Sequence, residues 1–151
     1  MASVPKPLPV ITPENAPFWE GCRNGHLLLQ RCTGCAAWRY PPASVCPRCG
    51  SLEVRWSPVS RRGTIYSFVV YHRAFHPASA AEIPYVVALV DLGEGVRMVM
   101  RVAKCPVASV TIDMEGRIEL QKVTEELWVP VFVPTTKISL RSALPPLSKG
   151  E

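Results

Sequence analysis

Two Cys-x-x-Cys pairs, Cys32-Thr-Gly-Cys35 and Cys46-Pro-Arg-Cys49, constrain this chain more than any other feature. Ten residues separate them. Such a turn curls so that both sulfurs and several backbone N–H groups face one point, and glycine permits the left-handed step it needs. Gly34 lies inside the first pair and Gly50 directly follows the second. Two facing knuckles supply four sulfurs in a tetrahedron, the arrangement of a closed structural zinc site. The ten-residue spacer accommodates a short hairpin over Trp38 to Pro42. Two disulfides or a thioredoxin-like redox pair are the alternatives, but doubled pairs signal a metal where a lone pair does not. The expected cofactor is a structural Zn2+ on Cys32, Cys35, Cys46 and Cys49, with iron in the same thiolate cage as the rival. Cys22 and Cys105 have no such partner and read as small buried hydrophobes.

The full chain of 151 residues, 48% hydrophobic, suits one ordinary domain or two small modules. No apolar run approaches the ~20 residues of a membrane span. The N-terminus lacks a basic-then-apolar leader pattern. A cytoplasmic protein without a membrane partner is therefore expected, and reduced thiols there favour metal over disulfides. Net charge is +5, yet the cations are scattered, with Arg61-Arg62 and the spread of Arg97, Arg101 and Lys104 the densest groups. Charge alone is a weak case for nucleic acid.

Along the chain, Pro5, Pro7 and Pro9 make an extended arm, whose Val4, Leu8, Val10 and Ile11 suit lying along another surface. Thr12-Pro13-Glu14 reads as a helix start and Asn24-Gly25 as its end, with Pro17 weakening the first turn. Phe18, Trp19 and Cys22 fall on one side of that helix, too bulky for a small ribbon to cover alone. Residues 1–25 are thus arm and helix, 26–57 the metal ribbon, 58–135 a β domain and 136–151 a tail. Strands are expected over His26–Gln30, Leu52–Trp56, Thr64–His72, Tyr85–Leu92, Val96–Val102, Ile118–Val123 and Trp128–Val133, the last with prolines suited to an edge or bulge. Five short strands after the ribbon fit a nearly closed OB-type barrel, with a small β-sandwich as alternative.

At this point the chain resembles a known family, acyl-CoA-associated proteins that join a rubredoxin-like zinc ribbon to a C-terminal OB fold. The resemblance rests on the Phe18-Trp19 helix, the His26-Leu-Leu-Leu-Gln-Arg-Cys32 approach to the knuckle, and Arg39-Tyr-Pro-Pro42. It continues through Gly63-Thr-Ile-Tyr-Ser-Phe68, Pro84-Tyr-Val-Val-Ala-Leu-Val-Asp-Leu92 and, loosely, Met114-Glu-Gly-Arg-Ile-Glu-Leu120, where Glu115-Gly116 replaces a common Gly-x-Pro turn. The family implies a small subunit of thiolase-superfamily enzymes: thiolases, acetyltransferases or steroid side-chain aldolases. It also implies a partner carrying the catalytic residues, while this chain scaffolds the complex and helps shape an acyl-CoA channel.

Residue chemistry agrees with a role without catalysis. There is no Gly-x-Ser-x-Gly elbow, no P-loop and no His-Glu-x-x-His helix, and His26, His72 and His76 are the only histidines. Four thiolates leave a metal no open position for water. Phe75-His76-Pro77 interrupts two strong strands and is the leading contact loop, beside the reading of an ordinary connection with a packed Phe75. Arg61, Arg62, Arg73 and Lys104 suit CoA phosphates, though each also reads as solvated charge. Trp38 and Arg39, at the ribbon hairpin, suit a partner anchor. The rival function is single-stranded nucleic-acid binding. Alternation places Tyr66 and Phe68 on one face of their strand and Tyr71 on the other, so no stacking platform is expected.

Overall fold

The computed structural model describes residues 4–135, so the tail expected over 136–151 lies outside the described residues. The first sheet is antiparallel, ordered β2-β1-β3, with β1 Leu28–Cys32, β2 Trp38–Arg39 and β3 Val54–Pro58. Strands β4 (Arg62–Tyr71), β5 (Tyr85–Leu92), β6 (Arg97–Val102), β7 (Glu115–Lys122) and β8 (Trp128–Pro134) follow. They close into a barrel ordered β4-β5-β6-β8-β7, in which β6 and β8 run parallel. This is the expected OB-type barrel. The sandwich alternative fails because β7 hydrogen-bonds back to β4. Among the described residues no helix is long and apolar enough to cross a membrane.

One helix joins the two parts. α1 (Ala16–Arg23) packs against β1 of the ribbon and against β7 and β8 of the barrel. Its start lies later than the sequence suggested. Thr12 to Asn15 form a preceding turn, in which the Thr12 N–H donates to Asn15 Oδ1 at 2.8 Å and the Ala16 N–H to the Thr12 carbonyl at 2.8 Å. Pro17 therefore falls in the first helical turn, where its missing N–H has no intrahelical partner to lose. The helix ends as expected. The His26 N–H reaches the Gly21 carbonyl (2.8 Å) and the Gly25 N–H the Cys22 carbonyl (3.2 Å), a Schellman closure.

The chain itself covers the helix. Phe18 is 3% exposed and Cys22 0%, in one core with Leu27 and Leu29 of the ribbon and Ile65, Val90, Met98, Ile118 and Phe132 of the barrel. Burying a Phe this fully is worth roughly 2–3 kcal/mol, so Phe18 fastens ribbon to barrel. Its ring lies 5.8 Å from Tyr40. The arm is extended, but Val4, Leu8, Val10 and Ile11 remain exposed. The contact that ties it down is Lys6 on Glu82, in the short 3-10 turn Pro77–Glu82 between β4 and β5. The Lys6 hydrogen bond, with help from Arg101, holds the Glu82 carboxyl below its usual range.

Four local expectations change. No hairpin stands between the knuckles. The Cys32 N–H donates to the Ala37 carbonyl (2.9 Å), so the first knuckle is itself the turn, and β2 pairs back onto β1 at Gln30↔Arg39 and Arg31↔Trp38. In β4, Ile65 pairs with Val90 and Ser67 with Leu89, which leaves Tyr66 as an extra, bulged residue. A bulge resets the period-two count. Tyr66 is thus exposed on the outer face while the half-buried Phe68 packs against the core. β8 is an inner strand of the barrel, not an edge. Pro130 is tolerated because β6 pairs with β8 only at Val131 and Phe132. Finally, β7 begins at Glu115, before the expected Ile118, because the barrel closes there.

That closure depends on two glycines, paired as Gly63↔Gly116. A Cβ on Gly116 would sit 2.4 Å from the Phe132 ring and 2.5 Å from the Val133 carbonyl; one on Gly63 would meet Val90 at 2.4 Å. We expect Gly116→Ala to cost about 2 kcal/mol through this crowding. Gly93→Ala, whose nearest neighbour is 4.0 Å away, should be near neutral. Denaturant unfolding of the two variants tests this; equal midpoints would refute the seam.

Candidate metal centre

The two knuckles repeat one backbone design. The Ala36 N–H donates to the Cys32 carbonyl at 2.9 Å, and the Gly50 N–H to the Cys46 carbonyl at 2.8 Å. The left-handed residue follows each pair: Ala36 at φ 61° and Gly50 at φ 75°. Gly34, read from sequence as supplying that step, is not among the positive-φ glycines. A Cβ there would be slightly tight against Ser51 Cβ at 3.3 Å and in ordinary contact with the Cys49 and Cys32 sulfurs.

These turns bring the sulfurs of Cys32, Cys35, Cys46 and Cys49 within 4.8 Å of one another. Two close separations cross between the knuckles, Cys32–Cys49 at 3.5 Å and Cys35–Cys46 at 3.7 Å. A tetrahedron of ~2.3 Å zinc–sulfur bonds has edges of about 3.8 Å, so the set fits a four-coordinate ion. All six cysteines are free. The sulfurs are too far apart for the ~2.05 Å bond of a disulfide.

Backbone donors prepare the thiolates. The Cys35 N–H lowers the Cys32 pKa, and the Cys49 and Arg48 N–H groups bring Cys46 down to about 6. The Ser51 N–H acts the same way on Cys49, but the hydrogen bond shared with Cys32, burial and the other two thiols outweigh it and push Cys49 up to about 11. Four such groups cannot all ionise side by side without a cation between them. Four-cysteine geometry and donor chemistry together indicate structural metal binding.

The other cysteines behave differently. Cys22 is sealed in the core, and burial pushes its pKa up to about 12. Cys105, expected to be buried, is only half-buried.

The remaining candidates are dispersed. Arg61 and Arg62 stand at the start of β4, and Phe75 and His76 beyond its far end, some 30 Å along a ten-residue strand. Phe75 is 76% exposed, its ring edge-on to Tyr71 at 5.8 Å, so it is not a packed loop residue. His76 accepts from the Ala78 N–H through Nδ1 (3.2 Å) and caps the turn that follows. Lys104 is ion-paired with Glu119 at 2.6 Å. Arg39 is no surface anchor: it is 5% exposed, and none of its guanidinium nitrogens has a partner among the described residues. Trp38 is half-buried, with Arg31 over its ring at 5.2 Å.

Sequence reasoning missed the outer face of β4–β6. There Tyr66, Val69 and Val99 are exposed beside the half-buried Tyr71, Tyr85, Val87 and Leu89. Arg97 lies over Tyr66 at 3.6 Å and Arg101 over Tyr85 at 4.4 Å. The signal was available in β5, Tyr-Val-Val-Ala-Leu-Val-Asp-Leu, which is apolar at outward as well as inward positions. Such a run is typical of a strand covered on both faces.

Fold and metal cage agree with what similarity shows. Residues 19–55 match the ChsH2 rubredoxin-like zinc ribbon domain and residues 56–121 the ChsH2 C-terminal OB-fold domain. The solved structure titled "Ltp2-ChsH2(DUF35) aldolase" superposes with a TM-score of 0.78 at 36% identity, covering 85% of this chain and 100% of that one. The chain belongs to the ChsH2 (DUF35) family of zinc-ribbon/OB-fold proteins. A "probable enoyl-CoA hydratase alpha subunit" of Thermomonospora curvata is 39% identical over 85% of this chain, which spans 40% of that protein. The "benzoylsuccinyl-CoA thiolase subunit BbsA" of Thauera aromatica is 32% identical over 56% of each chain. The chain thus spans well under half of the first relative, and its match to the second covers little more than half of either protein.

The two knuckles yield a direct test. Ala36 holds a left-handed conformation that costs an L-residue roughly 1–2 kcal/mol, partly offset by glycine's greater chain entropy. Ala36→Gly should therefore stabilise the metal-bound ribbon by about 0.5 kcal/mol. Thermal unfolding measures it, and a lower midpoint would contradict the shared knuckle design.

Proposed function

We propose that this chain is a zinc-binding accessory subunit, without catalytic residues of its own, of a thiolase-superfamily complex acting on acyl-CoA in the cytoplasm. Cys32, Cys35, Cys46 and Cys49 hold the zinc, which fixes the ribbon, a module with too little apolar core to fold alone. Supporting relatives include an aldolase complex and a thiolase subunit.

The observation that carries the reading is the uncovered outer face of β4–β6. A barrel strand whose inward side is core normally presents polar residues outward. Here Val69, Val99 and Tyr66 are 53%, 60% and 50% exposed, and Phe75 extends the patch. A protein subunit is the occupant we assign to it. Phe75 and His76 then stand at the rim nearest the acyl-CoA channel, with Arg61 and Arg62 as more distant candidates for its phosphates.

One observation favours a second reading. The Tyr66 bulge gathers Tyr66, Tyr71 and Phe75 on one face, as a single-stranded nucleic-acid platform requires. Against it, Arg97 and Arg101 are engaged by Asp91 (3.3 Å) and Glu82 (3.0 Å), leaving those cations committed away from phosphates.

Co-expression with a thiolase-like subunit encoded nearby tests the proposal. The two should co-purify, and Val99→Glu should abolish this while leaving metal content and thermal midpoint unchanged. A partner that is fully active alone and never co-purifies would sink the reading. Tight, salt-sensitive binding of single-stranded oligonucleotides would support the second reading instead.

A further inference from the structure

On the exposed face of the ribbon, Arg31 of β1 and Arg55 of β3 are directly opposite each other in register. Like charges in that relation repel. Neither forms an ion pair among the described residues. The nearby Glu53 carboxylate faces Thr33 Oγ1 at 3.5 Å, not the arginines.

Arg31 is also held in place. Arg31 Nε donates to the Ala36 carbonyl at 3.3 Å and its guanidinium lies over Trp38. Together with Cys32, Thr33 and Ser57, the two arginines line a cleft of about 240 Å³. Two cationic side chains and the Ser57 hydroxyl line this small hollow, donors of the kind a phosphoryl group takes up, while the Thr33 hydroxyl is engaged by Glu53.

We propose that the Arg31–Arg55 cleft is a phosphate-binding site of the ribbon. An anion between the two arginines turns the repulsion into two charge-assisted contacts. Under the function proposed above, on which this source alone rests, the phosphoryl groups are those of the CoA nucleotide. Free inorganic phosphate is the other source. The metal unit offers a competing explanation, since zinc with four thiolates carries a net charge of about −2 and also attracts cations.

The test uses the metal-loaded chain in NMR titrations at matched ionic strength. Adenosine 3′,5′-bisphosphate, inorganic phosphate and adenosine are the probes. Both phosphate probes should move the side-chain Nε–H resonances of Arg31 and Arg55, and adenosine should not. Arg55→Gln should weaken the bisphosphate about tenfold with zinc content unchanged. Tighter binding of the bisphosphate than of phosphate identifies a nucleotide as the source; equal binding supports a general phosphoryl site. No movement with either probe, undiminished binding by Arg55→Gln, or zinc loss in that variant would overturn the proposal. Arg55→Gln that still co-purifies with the thiolase-like subunit would confine such a failure to this site.

Discussion

Four sulfurs forced together need a cation, and the front half of this protein is arranged around that need. The knuckle N–H groups that lower the Cys32 and Cys46 pKa favour thiolates before any metal arrives. The same turns determine the ribbon's strand pairing, because the chain folds back at the first knuckle to lay β2 on β1. β3 then leaves the second knuckle and pairs along the other edge of β1, from Cys32↔Val54 to Leu28↔Pro58. Without an ion, nothing joins the two knuckles and their clustered thiols repel one another as they ionise, so the three-stranded sheet loses the anchor of its pairing.

The ribbon is not left to the metal alone. α1 carries Phe18 and Cys22 into a core shared with the barrel, so the two modules are continuous inside. The barrel's own constraint is steric. Gly63 and Gly116 let β4 and β7 meet while Phe132 fills the space a side chain would have taken. The result is a ribbon and barrel that share one apolar core, with the outer β4–β6 face left uncovered.

Much of this was legible in the residues. The cysteine spacing specified the cage, and the apolar, β-branched run of β5 between Pro84 and Gly93 marked that strand's extent, because each signal is local. What escaped was decided by pairing between distant segments. Nothing near Tyr66 announces a bulge; it exists because Ile65 and Ser67 are held in register by Val90 and Leu89. Pro17 misled because proline's meaning depends on which helical turn it occupies. Arg39 seemed an exposed hairpin tip until β2 was seen to pair with β1, which draws it inward. The Arg31–Arg55 opposition likewise depends on the β1–β3 register and has no signature in either strand alone.

The tetrathiolate cage is the claim on which the ribbon's fold stands, and X-ray absorption at the zinc edge of the purified protein tests it most directly. Four sulfur neighbours at about 2.3 Å, and no nitrogen or oxygen among them, are predicted. A metal-free chain that remains fully folded, or a zinc spectrum dominated by nitrogen and oxygen neighbours, would contradict it.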